Sequence, residues 1–201
     1  VVAADLRGYG DSSKPAGMEN YSFRPMAEDQ VALMKHLGHD RFHLVGHDRG
    51  ARTAHRLTLD APEAVQSLTL MDIIPTHTLL NDLHQTVARA YYHWFFLAQP
   101  APFPEDLIAQ DPDSYYQTAL TAWGATPLEA FDPVALDHYR TAWRKPDMIH
   151  ATCNDYRAAI DVDFALDEAD LGCSVTCPAL VLYGADGIMG KFYDVAATWQ
   201  D

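Results

Sequence analysis

One aspartate in this sequence lies between two glycines at the spacing Gly-x-Asp-x-Gly, as Gly46, Asp48 and Gly50. The pattern has the form of a nucleophile elbow, in which a strand turns sharply into a helix and exposes a nucleophile at the turn. Glycines are expected two residues before and after the nucleophile, because such a strained turn leaves no room for a Cβ atom there. The positive end of the following helix would keep Asp48 ionised. Asp48 is therefore predicted to be a nucleophile.

A carboxylate nucleophile favours different chemistry from a serine. A serine attacks an acyl carbon and needs a base to remove its proton. A carboxylate is already charged, so it can displace a leaving group from an sp³ carbon and form an ester between enzyme and substrate. Water, activated by a histidine, must then hydrolyse that ester. The aspartate therefore predicts the opening of a carbon–halogen bond or an epoxide rather than ordinary ester hydrolysis.

Two arginines, Arg49 and Arg52, lie three residues apart in the first turn of the predicted helix. This spacing places them on one helix face beside the nucleophile. Guanidinium groups bind carboxylates in a planar, bidentate way. The pair predicts a small anionic substrate, a 2-halocarboxylate, whose carboxylate the arginines hold while Asp48 attacks the neighbouring carbon. The alternative is that both are surface arginines that form ion pairs.

The segment from His47 to Arg52 resembles the nucleophile motif of haloacetate (fluoroacetate) dehalogenases, which have the α/β-hydrolase fold. The related haloalkane dehalogenases and epoxide hydrolases usually have tryptophan at the position of Arg49. The resemblance, which runs over essentially the whole chain, implies hydrolysis of fluoroacetate or chloroacetate to glycolate and halide without a cofactor, by a protein of a family that often forms homodimers. The alternatives are an epoxide hydrolase and a non-catalytic hydrolase-fold protein that binds an anionic ligand.

The resemblance also implies roles for residues outside the motif. Asp72 would orient the catalytic histidine, and Asp186, which follows a later strand, is the alternative for this role. His93, Trp94 and Tyr156 match the halide-binding set of the family. The indole N–H, phenol O–H and imidazole N–H of such residues are hydrogen-bond donors that stabilise a departing halide in a dry pocket. The alternative is that this aromatic run only packs the lid.

Several elements are predicted to position these residues. Short apolar, β-branched runs indicate strands at 42–45, 67–71 and 178–184, the first of them buried, and a further buried strand at 1–5. The pattern at 21–37 predicts a helix. Strands that alternate with helices at this spacing indicate βαβ units and a mostly parallel sheet flanked by helices. Ligands bind such sheets at the carboxyl ends of the strands, and Asp72 lies at one of these ends.

The predicted domains are a first part of the hydrolase core at 1–75, an inserted helical lid at 76–165 and a second part of the core at 166–201. In the lid, Trp123 and Gly124 are predicted to line the pocket or to pack the lid. No histidine follows His150. The chain is therefore expected to be an internal piece of a longer hydrolase, with the catalytic histidine after residue 201.

The composition narrows the class of protein. Of the 201 residues, 48% are hydrophobic and 21% are charged, which is ordinary for a globular enzyme. The formal net charge of −14 argues against nucleic acid or an anionic membrane as partner. No apolar run approaches the ~18 residues of a membrane-spanning helix. The 3 cysteines lack metal-site spacing and indicate reduced thiols in the cytoplasm, and no metal site is predicted.

Overall fold

The computed structural model describes residues 1–122 and 126–200, and the chain divides into two compact units. The sheet unit consists of Ser22–Tyr92 and Ala158–Asp201, and the helical unit consists of Val1–Tyr21 and His93–Arg157. The domain division at residues 75 and 165 stays a prediction. Trp123 and Gly124 lie outside the described residues.

The sheet unit contains a parallel sheet of three strands in the order β1-β2-β3. The strands are β1 (Phe42–His47), β2 (Val65–Met71) and β3 (Ala179–Leu182). His47 pairs with Met71 and Met71 pairs with Leu182, so the three carboxyl ends are aligned at one edge of the sheet. The predicted parallel sheet is confirmed by this pairing. Each strand is a short β-branched or leucine-rich run that follows a helix or turn.

The other elements of the sheet unit are mostly helices. They are α1 (Phe23–His36), α2 (Arg49–Asp60), a 3-10 turn (Pro62–Ala64), α3 (Thr76–Asn81), α4 (Gln85–Ala90), a π-helix (Ala159–Asp163), α10 (Phe164–Ala169), α11 (Ile188–Phe192) and α12 (Val195–Thr198). Helix α1 begins after Ser22, whose side chain accepts a hydrogen bond from the amide of Arg24, and it ends before Gly38, which has φ 85°. A left-handed glycine is the common end of a helix.

The core of the sheet unit lies where α1, α2 and β2 meet. Its buried side chains include Ala27, Ala51, Ala54 and Leu57 on the helices and Leu68 and Leu70 on the strand. Small residues on helix faces let the helices approach the sheet closely. This packing fixes the start of α2 against the carboxyl ends of the strands.

Two sequence predictions about strands are wrong. The predicted first strand is not buried throughout, because Val45 of β1 is 61% exposed. No strand lies among residues 1–5, where Val1 and Val2 are exposed, since no described strand pairs with this segment. An apolar, β-branched run therefore forms a buried strand only where a partner strand and a covering layer are both present.

The helical unit consists of helices and turns. They are a 3-10 turn (Met18–Tyr21), α5 (Tyr92–Leu97), α6 (Phe103–Gln110), α7 (Pro112–Ala122), a 3-10 turn (Leu128–Ala130), α8 (Pro133–Trp143) and α9 (Pro146–Ala158). Its core cluster contains Leu136, Trp143 and Met148, and the ring of Tyr116 stacks on Trp143 with centroids 5.5 Å apart. Among residues 1–122 and 126–200, no helix is long and apolar enough to cross a membrane.

Candidate active site

Asp48 occupies the turn between β1 and α2, as the elbow pattern predicts. Its backbone has φ 48° and ψ −118°, a conformation that side chains other than glycine rarely adopt. The amides of Ala51 and Arg52 donate hydrogen bonds to the Asp48 carbonyl at 3.0 and 3.1 Å, which starts the helix. The Asp48 side chain forms no capping hydrogen bond to this helix and is exposed. The turn thus presents the carboxylate outward instead of using it to cap the helix.

The two glycines of the motif differ in how much space a side chain would have there. A Cβ atom on Gly46 would lie 2.5 Å from the Gly50 carbonyl oxygen and 2.6 Å from the Ala51 Cα, so this position needs glycine. A Cβ atom on Gly50 would meet no atom within 4 Å in the described part of the chain. The predicted lack of space is therefore confirmed before the nucleophile and wrong after it.

Asp72 follows β2 just as Asp48 follows β1. Because His47 pairs with Met71, the two aspartates leave neighbouring strands at the same sheet edge. Asp72 also has a left-handed backbone, with φ 56°. Its amide donates to the Leu182 carbonyl at 2.8 Å, and its Oδ1 accepts from the Gly184 amide at 3.2 Å. The loop after β3, which carries the exposed Asp186, therefore fixes the Asp72 carboxylate.

Arg49 and Arg52 are buried, with 7% and 2% of each residue exposed. The guanidinium of Arg52 donates to the Ile74 carbonyl at 3.1 Å and to Thr76 Oγ1 at 3.0 Å. The guanidinium carbon of Arg49 lies 4.5 Å from the centroid of the Phe23 ring, a distance typical of cation–π contacts. The interpretation of both as surface arginines is therefore wrong. A buried guanidinium costs much free energy unless an anion or hydrogen bonds compensate it.

The next arginine on α2, Arg56, forms ion pairs within the fold. Arg56 pairs with Asp60 at 2.6 Å and with Asp170 at 2.8 Å, and Asp167 lies 3.6 Å away. Its charge is thus balanced within the fold.

Tyr91 is a buried residue beside this group that the sequence reasoning did not single out. Burial raises the pKa of Tyr91 to about 12, the positive charge of Arg52 lowers this pKa, and the negative charges of Asp48 and Asp72 raise it. The phenol therefore keeps its proton at neutral pH and lies within electrostatic reach of all three residues. Its only sequence signal is its place at the start of the aromatic run that contains His93 and Trp94.

The predicted halide-binding residues come together in the helical unit. The ring of Tyr156 on α9 contacts the rings of His93 and Trp94 on α5 edge-on, with centroids 5.6 and 5.7 Å apart. Trp94 is 1% exposed and Tyr156 is 8% exposed. The structure therefore groups Asp48, Arg49, Arg52 and Asp72 within the sheet unit. It groups the three aromatic residues within the helical unit.

Two buried contacts fix helix α9 on either side of Tyr156. The Tyr9 hydroxyl donates to Asp155 Oδ2 at 2.5 Å, and Asp155 is completely buried. The Arg157 guanidinium donates to Glu105 at 2.7 and 2.9 Å and to the Gln99 carbonyl at 2.8 Å. Burial alone would raise the pKa of Glu105, but the hydrogen bond from Arg157 brings it below its usual value. The ring of Tyr156 is therefore carried on a rigid segment.

The cysteines and other ligating side chains show no further centre. Cys153, Cys173 and Cys177 are free thiols, and burial raises the pKa of Cys153 to about 12. In the described ranges, no group of at least 3 His, Cys, Asp or Glu side chains could hold a metal ion.

Comparison with known proteins supplies the context for this geometry. A family model described as alpha/beta hydrolase fold matches residues 1–199. A fluoroacetate dehalogenase from Burkholderia sp. is 54% identical over 202 residues, which cover 99% of this chain and 66% of that protein. A crystal structure of a protein from Nostoc sp PCC 7120 superimposes with a TM-score of 0.94 at 52% identity, covering 98% of this chain and 68% of the other.

Epoxide hydrolases are more distant in sequence. A soluble epoxide hydrolase from Corynebacterium sp. is 29% identical over 204 residues, which cover 100% of this chain and 68% of that protein. The chain thus spans about two thirds of the length of the relatives it matches. The resemblance to a fluoroacetate dehalogenase, predicted from the motif around Asp48, is confirmed.

Proposed function

The chain belongs to the alpha/beta hydrolase fold family, and from that membership we propose that the full-length protein hydrolyses haloacetates to glycolate and halide. One observation carries the proposal. Asp48 lies in a strained left-handed turn, and the first turn of the helix behind it contains two buried arginines, Arg49 and Arg52. An ester hydrolase has no need of a carboxylate at this turn, and a neutral substrate has no need of the arginines.

The first step is a displacement at the carbon that bears the halogen. Arg49 and Arg52 bind the substrate carboxylate through charge-assisted hydrogen bonds, which are stronger than neutral ones. A carboxylate oxygen of Asp48 attacks the adjacent carbon, the carbon–halogen bond breaks, and the halide leaves with the electron pair. The product is a carboxymethyl ester, in which an Asp48 oxygen is bonded to the carbon that carried the halogen; this carboxymethyl group becomes glycolate.

The leaving halide needs hydrogen-bond donors, and fluoride needs them most because it is the poorest leaving group. We assign this role to His93, Trp94 and Tyr156, whose rings contact one another and whose N–H and O–H groups are donors. Because these aromatic rings exclude water, their donors stabilise the developing negative charge better than bulk water does.

The second step is hydrolysis of the ester. Water attacks the ester carbonyl of Asp48 while a histidine accepts a proton from it. The bond from the Asp48 carbonyl carbon to the glycolate oxygen then breaks, the histidine returns the proton to that oxygen, and glycolate leaves with the Asp48 carboxylate restored. We propose that this histidine belongs to the part of the full-length protein outside the present sequence. Asp72 would hold its ring through a hydrogen bond, and the contact of Asp72 with Gly184 supports this choice over Asp186.

The test is the release of halide from chloroacetate and fluoroacetate by the full-length protein, with Asp48→Asn as the control variant. We expect halide release by the wild-type protein and a fall to below about one thousandth of that rate in the variant. Mass spectrometry of the protein during turnover should detect an added carboxymethyl group on the peptide containing Asp48.

Other outcomes point to the alternatives. Turnover of epoxides without halide release would identify an epoxide hydrolase, the activity named for the Corynebacterium relative. Acetate binding without turnover of either substrate class would identify a non-catalytic protein that binds an anion. Either result would overturn the proposed dehalogenation.

We further propose a cytoplasmic location and a homodimer for the full-length protein. The free thiols of all three cysteines support a reducing compartment. Sedimentation of the purified full-length protein measures the mass of the assembly. A monomer at micromolar concentration would contradict the homodimer.

A further inference from the structure

A buried carboxylate that the proposed reaction does not use lies at the end of the π-helix Ala159–Asp163. Asp163 is 1% exposed. Its Oδ1 accepts a hydrogen bond from the Ser22 hydroxyl at 2.6 Å, and both of its oxygens accept from the Phe23 amide, at 3.0 and 3.2 Å. π-Helical turns are rare and often mark functional sites. Here the turn delivers a carboxylate to the first amide of helix α1.

Phe23, whose amide donates to Asp163, also contacts Arg49, the arginine that the proposed function assigns to the substrate carboxylate. Phe23 is the first residue of α1, and its ring lies 4.5 Å from the guanidinium carbon of Arg49. Phe23 is 2% exposed and Arg49 is 7% exposed, so the contact is desolvated. The position of the Phe23 backbone therefore determines the surface on which the Arg49 guanidinium rests.

Asp163 and Arg49 also interact electrostatically. The positive charge of Arg49 acts on the Asp163 carboxyl and favours its ionised form, whereas the negative charge of Asp167 opposes it. Asp163 thus faces Arg49 electrostatically, and its hydrogen bonds reach the residue on which Arg49 stacks. No other residue described above combines these two relations to Arg49.

We propose that Asp163 is a positioning residue for Arg49, which it orients toward the substrate carboxylate by fixing Phe23 at the start of α1. The inference rests on the proposed function only in taking Arg49 as a carboxylate-binding residue. Asp163 itself does not contact the substrate. Its removal should therefore affect anion affinity through Arg49 and through no other route.

The test measures acetate binding to the full-length protein by calorimetry, because acetate carries the carboxylate and cannot react. We expect Asp163→Ala to weaken acetate binding about tenfold, the size of typical coupling between contacting residues. Asp163→Asn retains an acceptor oxygen for the Ser22 hydroxyl and the Phe23 amide. This conservative variant should bind acetate within about twofold of the wild-type protein.

A second variant keeps the test decisive if Asp163→Ala does not fold. Phe23→Leu removes the ring under Arg49 but keeps an apolar side chain, and it should weaken acetate binding to a similar extent. In an Arg49→Gln background, neither substitution should weaken binding further. Asp170→Ala is the matched control, because Asp170 follows the same segment but pairs with Arg24 and Arg56. Its acetate affinity should equal that of the wild-type protein.

The outcomes separate this inference from the proposed function. Unchanged acetate affinity in Asp163→Ala or in Phe23→Leu would overturn the positioning role even if the protein releases halide. Weakened binding that persists in the Arg49→Gln background would also overturn it. A wild-type protein that binds acetate but releases no halide would overturn only the dehalogenation. The variants would then still decide the positioning role.

Discussion

Asp48 and Asp72 share a backbone conformation that costs free energy. Each has a positive φ without being glycine, and such residues typically cost about 1–3 kcal/mol. Glycine at either position would relieve the strain but would remove the carboxylate. Both residues lie at the ends of paired strands, where the sheet holds the backbone firmly enough to maintain the strain. Under the proposed function, the chemistry of the two carboxylates accounts for an aspartate at each turn despite this cost.

Replacing either buried arginine by glutamine should weaken binding of the substrate carboxylate. Arg49→Gln should raise the KM for chloroacetate about 10- to 100-fold, the value of one or two hydrogen bonds to a charged group. Arg52→Gln should raise KM and also lower Tm, because Arg52 binds the Ile74 carbonyl and Thr76 within the fold. Steady-state kinetics and thermal melting of the full-length protein measure both.

Arg41→Gln serves as the control for these variants, since Arg41 is exposed and precedes β1. It should change neither KM nor Tm. An unchanged KM in Arg49→Gln would contradict the assignment of Arg49 to the substrate carboxylate.

The two elbow glycines should respond in opposite directions to alanine. Gly46→Ala should lower the free energy of unfolding by about 1–3 kcal/mol, because the added Cβ overlaps the Gly50 carbonyl and the Ala51 backbone. Gly50→Ala should raise it by about 0.5–1 kcal/mol, since the position lies within a helix and has free space. Urea denaturation of the two variants measures the difference. Equal destabilisation would show that the space beside Gly50 is filled in the full-length protein.

At the scale of elements, one carboxylate joins the π-helix to α1 and makes their packing sensitive to pH. Burial raises the pKa of Asp163 to about 7, while the Ser22 hydroxyl, the Phe23 amide and Arg49 lower it and Asp167 raises it. The unfolded chain releases this proton near pH 4. Between these two values the folded state holds a proton that the unfolded state has lost.

The stability contributed by Asp163 should therefore decrease as pH rises from about 4 to about 7. The asparagine of Asp163→Asn cannot ionise, so this variant lacks the pH-dependent contribution to stability. The difference in unfolding free energy between the wild-type protein and this variant should shift by on the order of 4 kcal/mol across the window, to the disadvantage of the wild type at high pH. Denaturant titrations at half-unit pH steps give this difference. A difference that stays constant with pH would show that Asp163 has the same pKa in both states.

At the scale of the whole molecule, charge opposes the proposed substrate. A net charge of −14 repels an anion at long range, whereas buried arginines attract it at short range. Salt screens the long-range repulsion far more than the buried contacts. We therefore expect kcat/KM for chloroacetate to rise on the order of twofold when added sodium sulfate raises the ionic strength from a low value to about one tenth molar.

Chloroacetamide is the matched neutral substrate for this measurement. The product assayed is glycolate for chloroacetate and glycolamide for chloroacetamide. Its kcat/KM should not change with salt. A fall in kcat/KM for chloroacetate would mean that attraction by the arginines, not repulsion by the whole protein, governs the approach of the substrate.

The sequence predicts those features that depend on local pattern. Periodicity placed β1, β2, β3 and α1, and the glycine spacing placed Asp48 at a turn that needs Gly46. It could not show which residues far apart in the chain come into contact, because such contacts depend on the whole fold. Tyr91 and Asp163 were missed for the same reason. The fold brings distant residues beside them, Arg52 beside Tyr91 and Ser22 beside Asp163. The sequence shows only a tyrosine in an aromatic run and one of many acidic residues.

The division of the chain into two units has an evolutionary consequence. Under the proposed function, the residues that recognise the carboxylate all lie within Ser22–Tyr92, and those that receive the halide lie within His93–Arg157. Recombination near residues 92 and 157 could exchange one set without altering the other. Preference for the leaving halide and preference for the substrate carboxylate would then be inherited as separate traits. A lineage could thus change its halide preference and still bind the same carboxylate group.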